Sequence, residues 1–314
     1  MSNAVVFPGQ GSQAVGMGKA LAESFTEARL LFEEVDDALN QKLSRLMWEG
    51  PEDQLILTEN AQPALMAVSL AVMRVLETQG KWRLADKAAY VAGHSLGEYS
   101  ALAAAGTFTV AEAARLLKLR GQAMQKAVPV GVGAMAALLG IELPEAESIA
   151  ADAAAGEICQ VANDNSSGQV VISGHKAAVD RAIALAAEKG FKRSVLLPVS
   201  APFHCALMQP AADAMAEALE KVTVRAPVVP VVANVTAAPT VDPVLIQAQL
   251  VQQVTGTVRW RESVLAMKGL GVERLIEAGA GRVLAGLVKR IDKDISALSL
   301  QMPEDIDAFL SASA

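Results

Sequence analysis

The chain has 314 residues, enough to bury a full core and to form one large domain, or a large domain carrying a smaller one. Apolar residues make up 52% of it, yet charged or polar residues break every run before the roughly eighteen needed to span a bilayer, so no membrane segment is expected. A net charge of -7 with 4% aromatics argues against general nucleic-acid affinity, and the start lacks the basic-then-apolar form of a secretory signal.

The first predicted strand is Val5-Val6-Phe7, followed by a glycine-rich turn, Pro8 to Gln13, and a helical pattern from about Met17 to Leu39. A second helix is expected from about Pro63 to Thr78, stopped at Gly80. A short apolar run, Ala88 to Ala92, leads into Gly93-His94-Ser95-Leu96-Gly97 and then a helix-forming run to Ala105. This is the G-x-S-x-G pattern at a strand-to-helix turn. Such a turn lifts the serine above the sheet edge and aims free helix N–H groups at a bound carbonyl oxygen, so Ser95 is the nucleophile candidate. The next helix opens at Thr109, with Glu112 at capping-box spacing, and runs through Val128.

Between Pro129 and Pro198 the pattern changes to strand (132–139), helix (144–154), strand (158–163), strand (169–173), helix (176–189) and strand (191–197). That βαββαβ order is ferredoxin-like, and it predicts a small inserted domain over 129–198. Residues 1–128 and 199–314 then form one discontinuous α/β hydrolase-like domain, with later strands at 228–232, 272–276 and 296–300 in a mostly parallel sheet.

A serine needs a base, and the chain holds three histidines. His94 adjoins Ser95 and points away in a tight turn, which suits a supporting role. His175 reads as a surface residue or cap. His204, where the chain re-enters the large domain, is either the base or a packed interdomain histidine. Acids that could orient it, such as Asp164 and Asp180, fall in the small domain, so a carbonyl or amide is the alternative. Arg120 shares the apolar stripe of Ala113, Leu117 and Met124, as a salt-bridged arginine or as a fixed cation for a substrate carboxylate. The Gly9-Gln10-Gly11 turn fails as a dinucleotide site, because Glu33, Glu34 and Asp36 lie within a helical pattern and not at the end of a second strand. No phosphate-binding loop is present either. Cys159 and Cys205 lack metal-type spacing and fit a reducing cytoplasm; no metal is expected.

These stretches resemble the malonyl-CoA:acyl carrier protein transacylases and the related polyketide acyltransferase domains. The matches are Phe7 to Gln13, Gly93 to Ala101, Arg120-Gly121 with Met124-Gln125, Asn165-Ser166 with Gly168 to Ile172, Pro198-Val199-Ser200 leading to His204, Gln253 ahead of Val258-Arg259-Trp260, and Gly281 with Val283-Leu284. They run from the first strand to the last helices. The resemblance implies that Ser95 is acylated and His204 is its base. It also implies an oxyanion hole from the N–H groups of Gln10 and Leu96, and substrate contacts from Arg120, Asn165 and Phe203. Gln253 would orient His204 through its main-chain carbonyl. Malonyl-CoA and acyl carrier protein would be the substrates, with no separate cofactor, in a cytoplasmic monomer supplying fatty acid synthesis. A trans-acting polyketide acyltransferase and a serine esterase or thioesterase are the alternatives. Carrier protein is acidic as a family, so Lys189, Lys192 and Arg193, with Lys289 and Arg290, are docking candidates on this acidic chain. Asp164 and Ser167 depart from the commonest family pattern and predict a more polar or mobile loop beside the cleft. Cys205 replaces a serine and reads as a small buried neighbour or a reactive thiol.

Overall fold

The computed structural model describes residues 2–199 and 201–313. In chain order the strands are β1 (Asn3–Phe7), β2 (Tyr90–Gly93), β3 (Gly133–Leu139), β4 (Cys159–Ser166), β5 (Gln169–His175), β6 (Arg193–Leu196), β7 (Val231–Val232), β8 (Pro239–Thr240), β9 (Arg274–Ala278) and β10 (Ser296–Leu300). They form two sheets. The larger has the order β10-β9-β1-β2-β7-β8, with every pair parallel except β7 with β8. β1 is central and buried on both faces: Val5 and Phe7 enter one apolar cluster, while Ala4 and Val6 enter the other. A strand covered on both faces has no polar side to alternate with, which is why it reads as a continuous apolar run.

The smaller sheet is antiparallel with the order β4-β5-β3-β6, the ferredoxin-like arrangement. Ala134, Ala136 and Leu138 of β3 pack into a core with the helices Leu143–Ala154 and Lys176–Glu188. Met135 and Ala137, on the opposite face, join the main core of the molecule. The sheet is therefore sandwiched, with one face on its own helices and the other against the main core. Val258 N–H donates to Ala162 O at 2.8 Å and Asp164 N–H to Val258 O at 3.0 Å, stitching β4 to the chain beyond Gln253.

Several boundaries differ from the sequence reading. The pattern from Met17 to Leu39 is two helices, Lys19–Ser24 and Thr26–Leu39, because Phe25 is extended and ends one while capping the next. The helix expected from Pro63 begins at Thr58 and runs to Gly80, with Pro63 inside it. β4 continues to Ser166 through register shifts, and only Val231–Val232 of the segment 228–232 joins a ladder. The helix Val110–Ala127 has the expected capping box between Thr109 and Glu112. No helix among the described residues is long and apolar enough to cross a membrane.

The ends of β1 and β2 sit side by side, Phe7 in register with Gly93, and deliver the Pro8–Gln13 turn and the Ser95 turn to one sheet edge. Glycines permit the approach. A Cβ on Gly97 would stand 2.2 Å from Phe7 O, and one on Gly93 would stand 1.9 Å from the backbone of Gly97. Gly97→Ala should destabilise the protein by about 1–3 kcal/mol through forced separation of β1 from the helix Leu96–Ala104. Urea unfolding of the variant checks this; an unchanged midpoint would show that the contact relaxes freely.

Candidate active site

Ser95 occupies φ 53, ψ -113, a backbone region that non-glycine residues enter only where surrounding contacts hold them. Its own N–H donates to Asn234 Oδ1 at 2.8 Å, and Asn234 Nδ2 donates back to Gly93 O at 2.6 Å. Leu96, the next residue, opens the helix, so its N–H has no partner one turn earlier and lies at the positive end of the helix dipole.

The Ser95 hydroxyl meets His204 Nε2 at 2.8 Å. On the other side of the ring, Nδ1 lies 2.9 Å from Gln253 O and 3.2 Å from Gly256 O. Carbonyl oxygens only accept, so Nδ1 carries the proton, Nε2 carries the lone pair, and the serine hydroxyl donates to it. Burial above all, and then the charge of Arg120, pull the His204 pKa down to about 3, so the ring is neutral and free to take a proton.

Arg120 is 1% exposed. Its Nη1 donates to Gln62 Oε1 at 2.8 Å, and its Nη2 donates to Gln253 Oε1 at 2.9 Å and to Ser95 Oγ at 3.2 Å. Gln253 thus touches both sides of the site. Its carbonyl holds His204, its amide oxygen holds Arg120, and its Nε2 donates to Ser95 O at 2.9 Å and to Glu98 Oε2 at 2.7 Å.

A cleft of about 470 Å³ opens over these groups. Gln10, Ser95, Leu96, Arg120, Phe203 and His204 all line it, with Met135 and Asn163 contributed by the smaller sheet. Asn165 is placed differently. It does not line the cleft; its Oδ1 accepts from His94 Nε2 at 2.8 Å, and that ring, kept neutral by burial, lies between Asn165 and the turn at Gly9. Ser200 lies outside the described residues.

The docking candidates stay outside the cleft. Lys192 and Arg193 are exposed where β6 begins, on the strand whose continuation, Leu197 to Val199, forms part of the cleft wall. Lys189 stands 3.5 Å from Asp152, and Arg290, beside Lys289, donates to Gln169 Oε1 at 3.2 Å. Asp164 and Ser167 make the neighbouring loop more polar. They also tie it down, because Arg261 binds Asp164 at 3.1 Å and Glu142 at 2.6 Å while Glu142 accepts from Ser167 and Gly168. Cys205 is fully buried and donates to Pro202 O at 3.2 Å; burial raises its pKa, which favours the inert thiol.

Sequence reasoning missed Glu98, Gln62 and Asn234. Glu98 follows Ser95 by three residues and is the only charged residue of the helix Leu96–Ala104, a signal that was present. Asn234 has no such signal, since it arrives from 139 residues away. Burial drives the Glu98 carboxyl up to about 7, against hydrogen bonds from Gln253 and Asn234 and the nearby charge of Arg120.

The acyl transferase domain family matches residues 4–297. This chain belongs to that family. Among curated relatives, the malonyl CoA-acyl carrier protein transacylase of Escherichia coli K12 is 46% identical over 98% of both chains. The acyl-carrier-protein-S-malonyltransferase of Bartonella henselae superposes with a TM-score of 0.97 at 57% identity, covering 99% of each chain. A malonyl-transacylase solved in complex with a type II PKS acyl-carrier protein is 42% identical, with a TM-score of 0.96, over 99% of this chain and 100% of that one.

In this acyl transferase Glu98 braces the amide that links the arginine to the serine turn. Glu98→Gln should lower the maximal rate about tenfold with little change in KM, because Gln253 loses a charged acceptor. The pKa of Glu98 is raised in the folded state, so its contribution to stability is complete below the ordinary value of 4.5 and is lost as pH rises through about 7. The melting temperature of Glu98→Gln relative to the native chain should therefore climb as pH goes from 5 to 8. Parallel melting curves would show that Glu98 is not buried as an ionising group.

Proposed function

We propose that the chain transfers malonyl from malonyl-CoA to the phosphopantetheine thiol of acyl carrier protein. The observation that carries this reading is the buried Arg120 guanidinium, 3.2 Å from Ser95 Oγ at the cleft. An esterase has no need of a buried cation beside its nucleophile. A dicarboxylic acyl group attached to Ser95 would place its free carboxylate within reach of that cation.

In the first half reaction Ser95 Oγ attacks the thioester carbonyl as its proton passes to His204 Nε2. The N–H groups of Gln10 and Leu96 receive the developing oxyanion. Collapse breaks the C–S bond, and the coenzyme A sulfur leaves with the proton from His204. The second half reverses this: the carrier thiol gives its proton to His204, attacks the malonyl ester, and Ser95 Oγ regains a proton. Coenzyme A enters as part of a substrate, and no separate cofactor is needed. His204 Nδ1 keeps its proton throughout, held by the carbonyls of Gln253 and Gly256. The incoming carboxylate also offsets the Arg120 charge that depresses His204, so the loaded acid makes the base stronger.

Phe203 limits the size of the acyl pocket, and Asn165 acts through His94 rather than on the substrate. Lys192 and Arg193, with Lys289 and Arg290, form the carrier-facing surface, supported by the exposure of the first two beside the cleft wall. Lys189 is already partnered by Asp152 and contributes least. The division into 129–198 and the remainder, a monomeric state and a cytoplasmic setting in fatty acid synthesis complete the proposal. The first is supported by the separate four-stranded sheet and the setting by two buried free thiols. The similarity to the transacylase bound to a type II PKS acyl-carrier protein supports a polyketide carrier as the second reading, which parallel turnover with both carriers decides.

Rapid-quench mass spectrometry with malonyl-CoA should give an adduct that Ser95→Ala abolishes and carrier protein discharges. Absence of the adduct would sink acyl transfer through Ser95. Arg120→Ala should weaken malonyl transfer by about 2–5 kcal/mol relative to acetyl transfer, because a desolvated carboxylate loses its partner. An unchanged malonyl-to-acetyl ratio would remove the clamp. Raising salt should depress carrier turnover more than malonyl-CoA hydrolysis, and equal sensitivity would count against the basic surface.

A further inference from the structure

Arg120 and Gln10 both line the cleft, and a chain of hydrogen bonds joins them, buried from Arg120 to Thr58 and reaching the surface at Gln10. Arg120 Nη1 donates to Gln62 Oε1 at 2.8 Å, Gln62 Nε2 donates to Thr58 Oγ1 at 3.1 Å, and the Thr58 hydroxyl donates to Gln10 Oε1 at 2.8 Å. Thr58 and Gln62 are 1% and 2% exposed, so water does not compete for either. They are four residues apart on the first turns of the helix Thr58–Gly80 and share one face.

Gln62 and Thr58 each accept from one neighbour and donate to the next, with Arg120 the first donor. A threonine hydroxyl rotates freely until an outside donor occupies its lone pairs, and it then directs its own hydrogen elsewhere. Here the outside donor is Gln62, and Gln62 is oriented because a guanidinium, which cannot accept, claims its oxygen. Successive bonds of one polarity strengthen each other in a dry interior. The side chain of Gln10 is the last acceptor, and its backbone N–H belongs to the turn facing Ser95.

We propose that Thr58 and Gln62 are positioning residues that couple the acyl-charge clamp to the oxyanion turn, so that Arg120 fixes Gln10 through two buried intermediaries. The proposal rests on the roles given above to Arg120 and Gln10. Its consequence is that the cation selecting the acyl group also sets the geometry in which the thioester is attacked. A carboxylate placed on Arg120 then acts on the oxyanion donor without touching it.

The test is a double-mutant cycle of Thr58→Val and Arg120→Ala, read with acetyl-CoA, which needs no carboxylate clamp. Thr58→Val keeps the side-chain shape and removes the hydroxyl. It should lower kcat about tenfold with KM nearly unchanged, because one oxyanion donor loses its anchor. Thr58→Ser should restore most of the rate. In the Arg120→Ala background the chain is already broken, so Thr58→Val should change kcat by less than about twofold. An undiminished kcat in the single variant would overturn the proposal, as would equal losses in both backgrounds. The malonyl-to-acetyl ratio of Arg120→Ala alone reports on the clamp. If that ratio shifts while Thr58→Val is silent, only the coupling fails; if it does not shift, the clamp fails and the coupling with it.

Discussion

A guanidinium cannot be left unpaired in a protein interior, and the burial of Arg120 sets the terms for everything around Ser95. Gln62, Gln253 and Ser95 supply acceptors, the Tyr99 ring lies 5.7 Å from the guanidinium carbon, and Glu98 supplies a nearby acid joined through Gln253. Each of these contacts also fixes a second object. Gln62 leads to the Gln10 turn, Gln253 leads to His204, and Glu98 and Asn234 brace the strained serine. The electrostatic demand of one side chain thus organises both halves of the site.

The same demand explains a neutral histidine. His204 shares a buried space with a cation, and burial and that charge hold its pKa far below that of a free imidazole. A neutral ring with its proton fixed on Nδ1 is prepared to receive the serine proton at any pH near neutrality. Under the proposed clamp, an anionic acyl group on Arg120 would lift part of that depression as His204 takes the proton. On that proposal, charge on the substrate and basicity of the histidine are linked through the arginine.

Strand order and close backbone approach do the remaining work. β1 and β2 are neighbours, so two turns far apart in the chain end at the same edge. Gly9, whose Cβ would stand 2.7 Å from His94 O, and Gly97 keep them there. The smaller sheet closes the cleft with Met135 and Asn163, and the bonds of Arg261 to Asp164 and Glu142 hold that sheet against the helix that carries Arg261. A loop expected to be polar or mobile is polar and clasped.

Much of this was legible along the chain. The apolar periodicities of 132–197 disclosed a βαββαβ unit, since periods of two and of 3.6 residues are local properties of strands and helices. The serine turn announced itself because strain at one residue requires glycines at fixed offsets. Arg120 stood out as a charge on an apolar stripe, and His204 as one of only three histidines. Asn165, expected to contact the substrate, lies off the cleft lining against His94, and Lys189 gave no sign of its pairing with Asp152. Glu98, Gln62, Thr58 and Asn234 reach their places through contacts between residues 4 to 155 positions apart. The sequence by itself determined which elements form and which residues are chemically capable; the tertiary structure alone decided which buried donor meets which acceptor. Hydrogen-bond partnership is a matter of ångströms between side chains, and no spacing along a chain encodes that until the core has closed.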